Sequence, residues 1–153
     1  MSFRQLFAAF LLSVIVCTAA SAQAPSYRNQ GYKGSVGIST FEVFPGIETA
    51  HGYMINSNHF IGGGLNVLKW DNYLFFKEFI QYQWYFVNKN NTPLITAQLG
   101  LIETNKGNTF LYFEPRFGWS WGIADRFGIT LSGGIGILSS EELIPSINLA
   151  FEF

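Results

Sequence analysis

From about residue 33 onward, apolar and polar side chains alternate along the chain. The pattern is clearest at the end, where Leu143, Pro145, Ile147, Leu149, Phe151 and Phe153 share one face and Ser146, Asn148, Ala150 and Glu152 the other. A period of two places successive side chains on opposite sides of a strand, whereas a helix would repeat every 3.6 residues. One segment earlier, Phe127, Ile129, Leu131, Ile135 and Ile137 oppose Gly128, Thr130, Ser132, Gly134 and Gly136. Before that, Leu111, Phe113, Phe117, Trp119, Trp121 and Ile123 oppose Tyr112, Glu114, Arg116, Gly118, Ser120 and Gly122.

The same reading gives a strand that sets Ile95, Ala97, Leu99 and Leu101 against Thr96, Gln98 and Gly100. Another runs from Tyr73 to Val87 with Lys77, Gln81, Gln83 and Tyr85 on its minor face, and a third sets Ile61, Leu65 and Val67 against Gly62, Gly64 and Asn66. The first two segments, Gly34 to Phe44 and Ile47 to Ile55, alternate less regularly, as a bulge would produce. Between the segments lie turn signals: Phe44-Pro45-Gly46, Asn56-Ser57-Asn58, Asp71-Asn72, Asn88 to Asn91, Thr104 to Asn108, Ala124-Asp125-Arg126 and Ser139 to Glu142. All are short, so neighbouring strands should pair as antiparallel hairpins in an up-and-down meander. Eight strands of about ten residues suit a membrane-spanning barrel, in which each strand needs roughly 9–11 residues.

Alternation alone does not choose between a membrane barrel and a soluble sandwich; the minor face does. A water-exposed sheet face would carry many Lys and Glu, but this one is built from Gly, Ser, Thr, Asn and Gln with isolated charges. Such a face fits the crowded interior of a narrow eight-stranded barrel, with the large apolar face turned to lipid. Composition agrees: charged residues make up 12% of the chain and aromatics 18%, against about 25% charged in ordinary soluble domains. After residue 24 no uncharged apolar run approaches the length of a membrane helix.

The chain opens with Arg4, an apolar run from Leu6 to Val16 and the small-residue stretch Ala19-Ala20-Ser21-Ala22. That order is the pattern of a cleavable export signal, expected over residues 1–22, with Gln23 the first mature residue. Residues 23–32 are polar, contain Pro25 and Gly31, and are expected to form a flexible lead-in to a barrel over 33–153. Cleavage removes Cys17, so neither a disulfide framework nor a cysteine metal site is expected, and Cys17 has the wrong surroundings for lipidation. Of nine Lys and Arg, Arg4 leaves with the signal, so eight remain against ten Asp and Glu; no basic stripe suggests nucleic acid.

Membrane barrels carry aromatic girdles at both interfaces. With both mature ends on one side, Trp84, Trp119, Trp121, Phe127, Phe151 and Phe153 fall near one rim and Trp70, Tyr73, Phe41 and Phe44 near the other. On these residues the chain resembles the small outer-membrane β-barrel proteins of Gram-negative bacteria with an OmpA-like or OmpX-like barrel, over roughly Lys33 to Phe153. The resemblance implies a bacterial outer-membrane location among outer-membrane lipids. It also implies that Leu149, Phe151 and Phe153 form the sorting signal read by the barrel-assembly machinery. Long outer loops carry binding functions in that family; the short turns here weaken any carry-over of adhesion or receptor activity.

Glu114 and Arg116 share the inward face, and Lys77 and Glu48 point inward from other strands by the same parity. Buried charges must be paired, so these four are expected to form an interior network, either a structural plug or a gate or proton path. His51 and His59 have no spacing suited to a metal site, and Ser146 has no histidine near it in sequence, so no catalytic residue, metal or other cofactor is expected. Gly62-Gly63-Gly64 lacks the Lys-Ser/Thr of a phosphate loop and reads as close strand packing. Glu78 interrupts an apolar face; either a bulge after Lys77 turns it inward or it marks contact with a partner. The functional expectation is a non-enzymatic barrel of structural or interaction type without an open pore. A narrow channel or transporter for small or hydrophobic solutes is the alternative, and a lipid-modifying enzyme ranks below both.

Overall fold

In the computed structural model, residues 24–153 are described; the expected export signal over residues 1–22 lies outside them. A short 3-10 turn, η1 (Ser26–Arg28), precedes eight strands: β1 (Gly31–Phe41), β2 (Phe44–Asn56), β3 (His59–Trp70), β4 (Tyr73–Tyr85), β5 (Asn91–Thr104), β6 (Thr109–Ala124), β7 (Phe127–Leu138) and β8 (Leu143–Glu152). Each strand pairs antiparallel with the next, and β1 pairs with β8 to close an up-and-down barrel. Closure runs from Ser35↔Glu152 to Phe41↔Ser146 and is extended by mutual backbone hydrogen bonds between Gly34 and Phe153. The paired path Ser35, Ala50, Gly64, Phe79, Gly100, Tyr112, Leu138 starts low on β1 and finishes at the last residue of β7, the stagger of strongly tilted strands.

The outer surface is apolar where the alternation placed it. Ile38, Ile47, Ile61, Leu65, Ile80, Phe117, Ile147 and Leu149 are all exposed. Their neighbours in sequence point into the barrel and are buried: Glu48, Asn66, Gln81, Gln98, Arg116, Ser132, Ser146 and Asn148. The end opposite the termini is filled differently. There Phe41, Leu68, Phe79, Ile102, Tyr112 and Leu138 form an apolar plug, with Phe44, Phe75, Phe110 and Ile144 packed on it.

Two expectations are corrected. The first hairpin turns at residues 42 and 43, not at Phe44-Pro45-Gly46, because β1 ends at Phe41 and β2 already begins at Phe44. Pro45 is tolerated because the β2–β3 ladder starts only at Gly46↔Leu68, so its missing N–H falls where no partner strand needs one. This hairpin also turns Phe41 and its cross-strand partner Phe44 inward, one into the plug and the other against it, removing both from the girdle. The lead-in is shorter than expected and is seated: β1 begins at Gly31, and Tyr27 and Arg28 are buried against the end of the barrel.

Several inward positions leave room only for glycine. A Cβ at Gly100 would stand 1.9 Å from the backbone oxygen of Glu78 and 2.8 Å from the Cα of Phe79, where only backbone movement could make space. Gly100→Val should therefore destabilise the barrel by about 1–3 kcal/mol. The check is the midpoint of urea unfolding in lipid vesicles followed by tryptophan fluorescence; an unchanged midpoint would contradict the close approach of β4 and β5.

Candidate functional site

The inward parity of β2, β4 and β6 brings Glu48, Lys77, Glu114 and Arg116 together in the middle of the lumen. Arg116 grips Glu48 with both terminal nitrogens, Nη1 to Oε1 at 2.7 Å and Nη2 to Oε2 at 2.8 Å. Its Nε donates to Glu114 Oε1 at 2.6 Å, and Lys77 Nζ reaches Glu114 Oε2, also at 2.6 Å. Two cations and two carboxylates thus cancel. Neutral donors complete the shell: Asn66, Gln98 and Asn148 each donate a side-chain amide to Glu48, and Asn66 also donates to Ser39. Lys77 Nζ sits over the rings of Phe41 and Tyr112, at 4.4 and 4.5 Å, so its remaining charge faces aromatic walls. The β6–β7 pairing lapses at Glu114 and Pro115, between the residues that supply two of the four charges.

A second network, which sequence reasoning missed, lies nearer the termini. Glu152 accepts from Lys33 Nζ (2.9 Å), Tyr85 OH (2.7 Å), Ser120 Oγ (3.1 Å) and Tyr27 OH (3.2 Å). Lys33 also donates to Gln83 Oε1 at 2.9 Å. Burial, then the Glu152 carboxylate, pushes the Tyr27 phenol above its ordinary value, so this hydroxyl keeps its proton and donates. Arg28 donates to the carbonyl of Lys89 and lies over the Tyr85 ring, closing this end. A usable signal existed in the sequence: Lys33 and Glu152 both occupy the inward parity of their strands. Glu152 had been placed on the small face, but its partners sit on β1, β4, β6 and η1, far apart in the chain.

Between the two networks lies a void of about 10 Å³, bordered by Glu48, Arg116, Gln83, Thr130 and Glu152. That is at the lower limit for one water molecule.

The remaining sequence candidates divide by face. Trp70, Tyr73, Trp84 and Phe127 are exposed on the outside, with Trp119 and Trp121 half-buried on the same surface. Trp84, Trp121 and Phe127 lie towards the termini, with Trp119 further along its strand, and Trp70 and Tyr73 flank the turn at the opposite end. On the closing strand Leu149 and Phe151 point outward, while the Phe153 ring lies over Gly34. His51 is also outward, but its polar atoms are satisfied locally. Thr49 Oγ1 donates to Ser35 O at 3.0 Å and so accepts from His51 Nε2 at 2.8 Å, leaving Nδ1 to take the Tyr32 hydroxyl at 2.6 Å. His59 pairs with Tyr82 in the same manner at 2.6 Å. Both imidazoles are thus on the opposite side of the wall from Ser146. Among the described residues no group of three or more His, Cys, Asp or Glu is placed to hold a metal.

Glu78 is exposed on the outer face, and β4 keeps an unbroken register with Leu65 on one side and Leu101 on the other. The bulge that would have turned it inward is absent. Lying five residues from Tyr73, it sits roughly 12 Å down the barrel wall, given a rise of about 3.3 Å per residue at a tilt near 45°.

A closed eight-stranded up-and-down barrel with an apolar exterior and an ion-paired interior is the class these features define. Neither a protein-family model nor a curated protein sequence matches the chain. Solved structures do share the fold. The N-terminal β-barrel domain of Pseudomonas aeruginosa OprF matches with a TM-score of 0.67 at 10% identity, over 82% of this chain and 98% of that one. Neisserial surface protein A (NspA) matches with 0.57 at 11%, over 80% and 92%. A chain from the de novo design of transmembrane β-barrels matches with 0.51 at 12%, over 86% and 98%. At such identities the likeness is one of fold.

Removing one carboxylate from the central network should leave an uncompensated buried cation. Glu48→Gln, which leaves Arg116 and Lys77 with Glu114 as their one shared carboxylate, is expected to cost about 3–5 kcal/mol, whereas Glu103→Gln on the exposed surface should stay within about 0.5 kcal/mol. Urea unfolding of both variants in lipid vesicles, followed by tryptophan fluorescence, measures the contrast; equal midpoints would refute it.

Proposed function

We propose that this chain is an integral barrel of the bacterial outer membrane, of structural or interaction type, whose lumen is plugged by side chains and conducts no ions. The observation that carries this reading is the paired central network. All four of its charges are neutralised within the protein, and the void beside it holds one water at most. A channel for hydrated ions needs unpaired, wetted charges and a continuous path. The membrane location draws on the continuous apolar exterior, on closure that leaves no strand edge unpaired, and on the outer-membrane proteins whose fold is shared. Export would use the leader over residues 1–22. Assembly would read Leu149, Phe151 and Phe153 on the outward face of the closing strand, and lipid would cover the apolar belt.

Among the described residues no catalytic constellation accompanies this reading: Ser146 and the two histidines face opposite ways, which speaks against a lipid-modifying enzyme. The alternative of a narrow channel is decided by conductance. Purified protein in planar lipid bilayers should show no stable unitary steps, either as wild type or as Glu114→Gln. A well-defined wild-type pore that the substitution abolishes or widens would overturn the plugged reading.

A further inference from the structure

The end of the barrel away from the termini carries a cavity of about 170 Å³, open to the exterior above the apolar plug. Phe41, Phe44, Phe75 and Phe110 form much of its wall, and the Phe44 and Phe75 rings meet edge to face at 4.9 Å. Its size is close to the ~150 Å³ of apolar cavities that stay dry and accept a single aromatic ring. Glu42 and Glu142 are the charged residues of its lining. Among the described residues neither forms an ion pair. The turns and strand ends around this mouth add Asp71, Glu103 and Glu141, against Lys69 and Lys106, and Lys106 is already held over the Tyr73 ring. The rim is therefore net acidic above an apolar cup.

Glu42, Asp71 and Glu141 each hold a left-handed backbone, at φ 60°, 51° and 67°, in three of the turns at this mouth, so acidic side chains stand at positions that Gly or Asn takes with less strain. Of the three, Glu42 is the one on the wall of the aromatic cup. Below the cup, Lys77 closes the floor from the far side, with its ammonium against the rings of Phe41 and Tyr112. Whatever enters stops at the mouth.

We infer that this cup binds a small hydrophobic cation from the external phase: one aromatic ring or short aliphatic chain bearing an ammonium group. The apolar part lies against the phenylalanines and the ammonium faces Glu42 and Glu142. A neutral molecule of the same shape would keep the apolar contacts and lose the charge contact, and an anion would meet repulsion. The inference goes beyond the plugged-barrel reading and is separable from it, since binding at the mouth is measured without any conductance.

The test uses the full mature chain in phosphatidylcholine nanodiscs, with 2-phenylethylammonium, 2-phenylethanol and phenylacetate as probes, saturation-transfer NMR as readout and empty nanodiscs as the partition control. The expected result is binding of 2-phenylethylammonium at least about fivefold tighter than 2-phenylethanol, which corresponds to about 1 kcal/mol, with no measurable binding of phenylacetate. The Glu42→Asn/Glu142→Gln variant should remove the cation preference while keeping 2-phenylethanol binding. Its turn chemistry suits the left-handed position, so its unheated electrophoretic form should match the wild type. Equal binding of the three probes, no binding above empty nanodiscs, or a cation preference that survives in the folded variant would each overturn the inference.

Discussion

The constraint on which everything else depends is the pairing of β1 with β8. In hydrocarbon an unpaired backbone N–H or C=O has no water to turn to, and a sheet edge would present a whole row of them. The hydrogen bonds from Ser35↔Glu152 to Phe41↔Ser146, continued by Gly34 and Phe153, remove both edges at once. Closing at eight strands then fixes how little space remains inside. The narrow lumen explains the inward glycines, of which Gly100 against the Glu78 carbonyl makes the tightest approach to backbone, and it explains why polar side chains must satisfy one another.

Given that narrow lumen, charges are admitted only as a closed set. Arg116 serves as the hub of the central network because its planar fork can engage Glu48 with two nitrogens and Glu114 with a third. A lysine there would offer a point charge and could not span both carboxylates in the same geometry. Lys77 occupies the position where one carboxylate oxygen and two aromatic faces suffice. Glu152 plays the corresponding part near the termini, accepting from β1, β4, β6 and η1, so that closure of the wall and filling of the lumen meet on the same strand.

Much of this was legible in the sequence, because a barrel wall writes its two faces into a period of two. The strand count and the meander follow from that period together with the turn residues between its segments, and the same period sets Glu114 and Arg116 on the inward face. The first hairpin was misread because Pro45 and Gly46 look like a turn, whereas a proline is acceptable just before the β2–β3 ladder begins. Phe41 and Phe44 were placed in the girdle, whereas they point inward, Phe41 as part of the apolar plug. The second network was hidden because its six members are scattered from Tyr27 to Glu152, and only closure brings the two ends of the chain together. Glu78 lies at the limit of such reasoning: parity put it outside, and the unbroken register keeps it there.

The order of layers along the axis has its own consequence. From the open mouth inward come an apolar plug, an ion-paired network, a one-water void, a second ion-paired network and the seated turn with Tyr27 and Arg28. The plug and the turn keep bulk water from both networks, and in that dry setting each charged hydrogen bond is stronger than it would be in water. The same dryness makes any unpaired partner costly, so the two networks resist piecemeal opening. On the plugged reading proposed above, a path through the barrel would require both to break together, while the strands around them stay paired for reasons unrelated to the lumen. A wall held by backbone closure and a lumen held by neutralised charge are separate demands, and this sequence meets both on the same eight strands.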